Sequence, residues 1–186
     1  MAANPVTKSI PTDEELMALP KDGYKRELLD GEIVMSPAGS EHGRQIMRFS
    51  FALGNHVYGN NLGELFDGQT GFRMATGDLL CPDVSFVSTL RLQQRSLEGF
   101  FEGAPDLAIE FLSPSESKKH VDKKVNLCFA NQAQLAWVID MRKRTVTVYR
   151  GPKSAHTLSA GDILSGEDLI PGFAIPVASL FIDTPQ

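Results

Sequence analysis

The sequence predicts an α+β or mixed α/β domain organised around one sheet. Three observations carry this. Apolar residues recur at helical spacing in two separate stretches, 41–58 and 116–132. Short apolar runs bounded by Gly, Pro and Asp lie between and after them, and they run consecutively. The length of 186 residues, with 42% hydrophobic and 22% charged residues, suits one globular domain with a sizeable core. Residues 1–11 carry two prolines and are expected to form a loose arm, leaving 12–186 as the domain.

Taken in order, Thr12-Asp13-Glu14-Glu15 reads as a capping box opening a short helix through Leu16, Met17 and Leu19 that stops before Pro20. Residues 25–36 read as a hairpin, because Asp30-Gly31 is a strong two-residue turn signal between apolar-containing strands. In 41–58, Ile46, Phe49, Leu53 and Val57 share one helix face, Gly54 weakens the helix slightly, and Gly59 marks the end. Short strands are then expected at Leu65–Phe66, Thr70–Met74 and Asp83–Val87, separated by glycine-containing turns, with 89–103 a connector. Asp106–Leu112 reads as a central strand: Leu107, Ile109 and Phe111 take one face, and Ala108, Glu110 and Leu112 the other. The second long helix gains its apolar side from Val121, Val125, Leu127, Cys128 and Ala130. Strands at Ala136–Asp140 and Thr145–Tyr149 flank a basic turn, Met141–Arg144, and further turns follow at Ser159–Gly161 and Pro171–Gly172.

Composition removes several function classes. A net charge of −5 argues against coating nucleic acid through a broad basic surface. It is compatible with an acidic site that holds a cation and meets nucleic acid locally. The two cysteines, Cys81 and Cys128, are isolated, which excludes a disulfide framework and a paired-cysteine zinc site, and neither has an obvious histidine partner for nucleophilic chemistry. Apolar runs stay shorter than the ~18 residues of a spanning helix, and the N-terminus lacks the basic start and apolar core of a secretory signal, so the cytoplasm is the expected compartment. Phosphate-cradling glycine loops and internal repeats are absent from the sequence.

Glu110 is the most informative residue. A carboxylate on a central strand costs several kcal/mol unless it is paired, protonated or bound to a cation. A structural ion pair with a lysine of the following helix is one resolution. A cation site is the other. Asp83, directly after Pro82, starts another strand; alone it is an ordinary strand-start aspartate. Together, two carboxylates from adjacent strands can hold a hard divalent cation, and a lysine of the helix after Glu110 can stabilise developing negative charge.

The segments Tyr24-Lys25-Arg26-Glu27-Leu28-Leu29-Asp30-Gly31-Glu32, His42, Cys81-Pro82-Asp83-Val84, Gly103 to Ser115, Asp122-Lys123-Lys124, Trp137-Val138-Ile139-Asp140, Val146 to Arg150 and Leu169-Ile170-Pro171-Gly172-Phe173 occur in an order and spacing that resembles the Uma2 family, formerly a domain of unknown function and widespread in bacteria. The resemblance spans about residues 12–181. It implies a restriction-endonuclease-like fold of the PD-(D/E)XK superfamily, with a central mixed sheet flanked by helices, and a Mg²⁺- or Mn²⁺-dependent endonuclease acting on DNA. It also implies pairing into a homodimer, as in many nucleases of that superfamily. By position, Asp83 matches the aspartate of the PD element and Glu110 the acid of the (D/E)XK element; these two are the implied metal ligands. Glu27 matches an acid of the N-terminal element that can sit near the metal, and it joins Asp83, Glu110 and Lys124 in the implied catalytic set as a further ligand or orienting group. Lys124 matches a lysine that replaces the one expected two residues after Glu110, where this chain has Leu112; Lys123 is its competitor. Cys128 stands where relatives often carry tyrosine.

His42, near the start of the long helix, is a candidate to touch a phosphate or position Glu27, or else a helix-start histidine with a local bond. Gln69 is expected on a short strand before Asp83, lining the same cleft or simply exposed. Lys118, Lys119, His120, Lys123 and Lys124 form a basic run that reads as a solvated face or as a phosphate-facing one. Trp137 reads as core. The departures at Leu112 and Cys128 keep a second class open, a binding module on the same fold with weak or no catalysis. A metal-free carboxylate-pair hydrolase acting on sugars is a third.

Overall fold

The structure, a computed structural model, describes residues 10–20, 22, 24–36, 39–94, 96, 98–112 and 117–181. The expected N-terminal arm falls almost wholly outside these residues, as does the Ser113–Ser115 end of the motif around Glu110.

The local signals of the first half give the elements they predict. Helix α1 (Asp13–Met17) closes with its capping box: the Thr12 N–H donates to Glu15 Oε2 at 2.8 Å, and the Glu15 N–H to Thr12 Oγ1 at 3.2 Å. Strands β1 (Lys25–Leu29) and β2 (Glu32–Ser36) pair from Lys25↔Ser36 to Leu29↔Glu32. Asp30 and Gly31 both have positive φ, 53° and 74°, as the tight hairpin turn requires. Helix α2 (Ser40–Gly59) buries Phe49, Leu53 and Val57. Gly54 faces β3 (Gly63–Asp67), where a Cβ would sit in ordinary contact with Leu65 and Tyr58.

Four short strands follow: β4 (Phe72–Arg73), β5 (Leu79–Leu80), β6 (Val84–Ser88) and, after helix α3 (Thr89–Leu92), β7 (Phe101–Glu102). Next come β8 (Leu107–Phe111), helix α4 (Lys118–Ala130), β9 (Leu135–Asp140), β10 (Thr145–Gly151) and β11 (Ser154–Leu158). The chain ends in a small pair, β12 (Ile163–Ser165) with β13 (Ala174–Pro176), and a 3₁₀ turn over Val177–Leu180.

The expectation of one sheet is corrected. Among the described residues a six-stranded sheet runs β11-β10-β9-β8-β6-β3, and a five-stranded sheet runs β2-β1-β5-β4-β7. The N-terminal hairpin does not join the central strands. It pairs through β5 and β4, two-residue strands too short to show a period in the sequence. Both sheets are mixed. β8 and β9 are parallel, joined across α4, and β4 and β7 are parallel; the other pairs within these two sheets are antiparallel.

The six-stranded sheet is covered on both faces, so its central strands are apolar on both sides. On one face Leu107, Ile109 and Phe111 of β8 pack with Phe49, Leu53 and Val57 of α2, with Trp137, and with Leu164, Ile170 and Phe173 of the C-terminal segment. On the other, Ala108, Ala136 and Val138 meet Val121, Val125 and Cys128 of α4 and Leu29, Phe72 and Leu80 of the five-stranded sheet. Asp106, 1% exposed, is a structural acid at the head of β8. It accepts hydrogen bonds from the Ser88 N–H, Arg91 and Gln134 at 2.8, 3.0 and 3.0 Å. No helix among the described residues is long and apolar enough to cross a membrane.

Candidate active site

The alternation of β8 decides where Glu110 points. It shares the face of Ala108, toward α4 and the five-stranded sheet, with only 7% of its surface exposed. The antiparallel register pairs Val84 with Ile109. One residue further, Asp83 lies across from Glu110 on the same face. On β1, Lys25 and Glu27 are two residues apart and so also share a face, and Leu29 continues it into the same core. On α4, Lys124 lies one turn before Cys128 and beside Val125, on the helix's buried stripe. Four elements thus bring three acids and two lysines to one place.

The contacts form a closed network. Lys124 Nζ is 2.6 Å from Glu110 Oε1 and 3.0 Å from Glu27 Oε2. Lys25 Nζ is 2.8 Å from Asp83 Oδ1 and 3.8 Å from Glu110 Oε2. Glu27 Oε1 accepts from the Cys81 N–H at 2.9 Å, which ties β1 to the approach of β6. Asp83 Oδ2 accepts from the Phe111 N–H at 2.8 Å. His42, at the start of α2, bonds through Nε2 to the Phe111 carbonyl at 3.0 Å and lies 3.5 Å from Asp83 Oδ2. Glu27, Asp83, Glu110 and Lys124 are all buried. The ion pair between Glu110 and a lysine of the following helix, one of the two resolutions posed by the sequence, is present as Lys124–Glu110, and it lies within the same cluster as Asp83 and Glu27.

Of the candidate site residues, Glu27, His42, Asp83, Glu110 and Lys124 converge here, while Lys123 and Gln69 stand apart. Lys123 turns to the hairpin tip and pairs with Asp30, while Lys124 takes the place beside Glu110. Leu112, in the slot where a lysine is expected, packs with the apolar side chains under α4. Gln69 is exposed and sits in the turn after β3 rather than on a strand, because Asp67 Oδ1 accepts its N–H at 3.1 Å and closes the turn. That turn faces a cavity of about 410 Å³, which Gln69 lines together with Tyr24, Glu27, Cys81 and Phe100. The basic run also divides: Lys118 and Lys119 are exposed, and Lys118 pairs with Asp122 at 2.6 Å. Lys25 was not singled out as a site residue. Its signal was the two-residue spacing to Glu27, which fixes both on one strand face.

Burial and charge act against each other at this site. Burial dominates at Glu110 and lifts its carboxyl to about 7, although Lys124 and Lys25 pull it down. The direction agrees with the charge count, since two ammonium groups cannot neutralise three carboxylates. Burial also acts to raise Asp83, yet His42, the Lys25 ammonium and the Phe111 amide outweigh it and hold Asp83 well below the usual range. Burial would lower Lys25, but the carboxylates of Glu110, Asp83 and Glu27 keep it above its ordinary value. His42 is raised, mainly by its hydrogen bond to Asp83. Burial pushes Cys81 and Cys128 up to about 12, which leaves both as inert thiols.

These shifts set a pH dependence of stability. Between 4.5 and about 7 the folded protein keeps a proton on Glu110 that the unfolded chain has released. Stability therefore falls as pH rises through that window, by on the order of 3 kcal/mol. His42 adds to the fall: its contribution is complete below 6.5 and is lost as pH rises through its raised value. Asp83 acts oppositely, contributing above 3.8 and losing that contribution on acidification. Thermal melts from pH 4 to pH 8 are expected to show the highest Tm near pH 4–5. A Tm that climbs steadily toward pH 8 would contradict this assignment.

A family model described as "Uma2: Putative restriction endonuclease" matches residues 13–178. The chain belongs to the Uma2 family. Every residue of the network lies inside the matched span. The fold is similar to the crystal structure of "a putative nuclease belonging to DUF820" from Anabaena variabilis ATCC 29413, with a TM-score of 0.80 and 23% identity, covering 92% of this chain and 97% of that one. The restriction-endonuclease-like architecture expected from the sequence is the one observed. Comparison with curated proteins gives no match.

Two carboxylates facing each other from neighbouring strands offer hard oxygen donors, the type Mg²⁺ and Mn²⁺ prefer. Among the described residues, no group of three or more His, Cys, Asp or Glu side chains is arranged to hold a metal by itself. The hard oxygen donors that come together here are those of Asp83 and Glu110, both contacted by Lys25. In this structure the Lys25 ammonium supplies the positive charge between them, 2.8 Å from Asp83 Oδ1 and 3.8 Å from Glu110 Oε2.

Proposed function

We propose that this Uma2 protein is a metal-dependent endonuclease that hydrolyses phosphodiester bonds, with DNA as substrate. The observation that carries the reading is the meeting of Asp83, Glu110 and Lys124 on one face of the central sheet, with Glu27 behind them, in a chain of this family.

In this reading Asp83 and Glu110 hold Mg²⁺ or Mn²⁺. A bound divalent ion supplies charge neutralisation at a phosphate oxygen and lowers the pKa of a water. The chain's own residues do the rest. Asp83 stays ionised because the Phe111 amide and His42 bond its carboxylate. Glu110 must release its proton before it can serve as a ligand, so cation binding is expected to strengthen as pH rises past about 7. Lys124 places a positive charge beside the ligand pair and stabilises negative charge growing on the phosphate in the transition state. Glu27, 3.0 Å from Lys124, fixes where that ammonium sits and is the positioning residue of the set.

The test is cleavage of plasmid DNA by the purified protein with Mg²⁺, with Mn²⁺ and with chelator, beside Asp83→Ala and Glu110→Ala. Cleavage that needs the metal and is lost in both variants is expected. Equal, metal-independent cleavage by all three proteins would reject the reading.

A further inference from the structure

Lys25 is the one charged group of the network to which the hydrolytic reading gives no task. Strand β1 belongs to the five-stranded sheet, yet it delivers this side chain between two carboxylates of the other sheet. Its Nζ lies 2.8 Å from Asp83 Oδ1 and 3.8 Å from Glu110 Oε2. The second lysine uses the other side of Glu110: Lys124 Nζ is 2.6 Å from Oε1 and 3.0 Å from Glu27. Glu110 therefore presents one oxygen to each ammonium, and the oxygen on Lys25's side shares that ammonium with Asp83.

Charge arithmetic separates the two lysines. With His42 neutral, Glu27, Asp83 and Glu110 ionised, together with Lys25 and Lys124, leave the network at −1. A divalent ion added to that set gives +1. A divalent ion in exchange for Lys25 gives a neutral site. Inside a buried site, a net positive set with an ammonium against a divalent ion is unfavourable, because like charges there are poorly screened. Access separates them as well. The Lys25 side chain keeps 14% of its surface exposed and Lys124 only 5%, so Lys25 has the shorter way to water. A lysine's long, flexible stem permits such a movement while its head group regains hydration.

We propose that Lys25 is a built-in counter-ion of the cation site, closing the Asp83–Glu110 pair in the free protein and leaving it when a divalent ion binds. The proposal rests on the metal-dependent reading above and adds an internal competitor to it. The lysine keeps the two carboxylates from repelling each other in the absence of metal. It also sets the metal affinity, since every ion that binds must displace it.

The experiment is Mn²⁺ titration at pH 8, read by the electron paramagnetic resonance of free Mn²⁺, on the unaltered protein, Lys25→Met and Lys25→Arg. Lys25→Met is expected to bind Mn²⁺ tighter by on the order of tenfold, within the range of coupling free energies between two bound groups. Lys25→Arg keeps the competing charge and is expected to stay within about threefold of the unaltered protein. Lys25→Met that binds no tighter, while the unaltered protein does bind, overturns the counter-ion and leaves the metal-dependent reading standing. No binding by any of the three overturns both. If circular dichroism shows that Lys25→Met does not fold, the unaltered protein decides the matter alone. Saturating Mn²⁺ is then expected to raise acetylation of Lys25 by an amine-reactive reagent several-fold, with Lys124 unchanged, as read by mass spectrometry of peptides. Unchanged Lys25 labelling overturns the proposal.

Discussion

At pH 8, Glu110→Gln is expected to lose metal-dependent cleavage by on the order of 10³-fold, the scale seen when one well-placed charged or polar group is removed from a site. It is also expected to be no less stable than the unaltered protein. The second half of this result is the more informative. A ligand replaced by its amide usually loses function; a buried acid replaced by its amide usually loses stability too, because its partners are stranded. Here each lysine keeps a carboxylate of its own: Lys124 retains Glu27 at 3.0 Å, and Lys25 retains Asp83 at 2.8 Å. The substitution removes the one negative charge the two ammonium groups cannot balance. The amide also stands in for the protonated carboxyl that the fold prefers below about pH 7. The unaltered protein loses stability on passing from pH 5 to pH 8, and the variant keeps most of it, so urea denaturation at pH 8 should give the variant a gain of roughly 1–3 kcal/mol. At pH 5 the two should nearly coincide. Such a gain would mean that the chain holds an ionisable acid here at the expense of its own stability, which is the expected mark of a functional group. A variant several kcal/mol less stable at both pH values would instead make Glu110 a structural anchor.

Much of this site was legible because strand and helix periods are strict. The run Leu107 to Leu112 has apolar residues at every position but 110, so the odd acid was conspicuous, and its face followed from a period of two. Thr12–Glu15 and Asp30-Gly31 announced their turns through side-chain chemistry that few other arrangements satisfy. The division into two sheets was hidden for a physical reason. β4, β5 and β7 are two residues long, and a pair of residues has no period; they exist because the rest of the fold holds them side by side. β11 to β13 were hidden as well: β12 and β13 are three residues long with one inward side chain each, Leu164 and Ile175, and exposed positions such as Ser154 and Ile163 leave too little pattern to read. Lys25 was obscured by its neighbours. Lys-Arg-Glu looks like an ordinary solvated stretch until the burial of Leu29 shows that residues 25, 27 and 29 face inward together. Adjacent lysines at 123 and 124 posed the opposite problem, since only the helix phase set by Val121, Val125 and Cys128 decides which one enters the core.

That phase leads to a large expected effect on stability. Lys124→Met preserves the length and apolar stem of the side chain, so it isolates the ammonium. The group touches two buried acids, Glu110 at 2.6 Å and Glu27 at 3.0 Å, and 5% of the lysine side chain is exposed. Its removal leaves those carboxylates facing each other with Lys25 as the remaining ammonium, and Lys25 is already engaged with Asp83. Breaking one side of a buried ion pair is expected to cost about 3–5 kcal/mol at pH 8. In a protein of this length that lowers Tm by roughly 10 °C. The loss should shrink at pH 5, where protonation relieves the stranded acids, and Lys123→Met, which breaks a pair with the 80% exposed Asp30, should cost less than about 1 kcal/mol at either pH. Adding Glu110→Gln to Lys124→Met should restore part of the stability, because one of the two stranded charges goes with it. The double variant is therefore expected to be more stable at pH 8 than Lys124→Met alone, a strongly non-additive result of the kind that residues sharing a network give. Equal costs for Lys123→Met and Lys124→Met, or simple additivity in the double variant, would mean that the ammonium is not what holds these acids together.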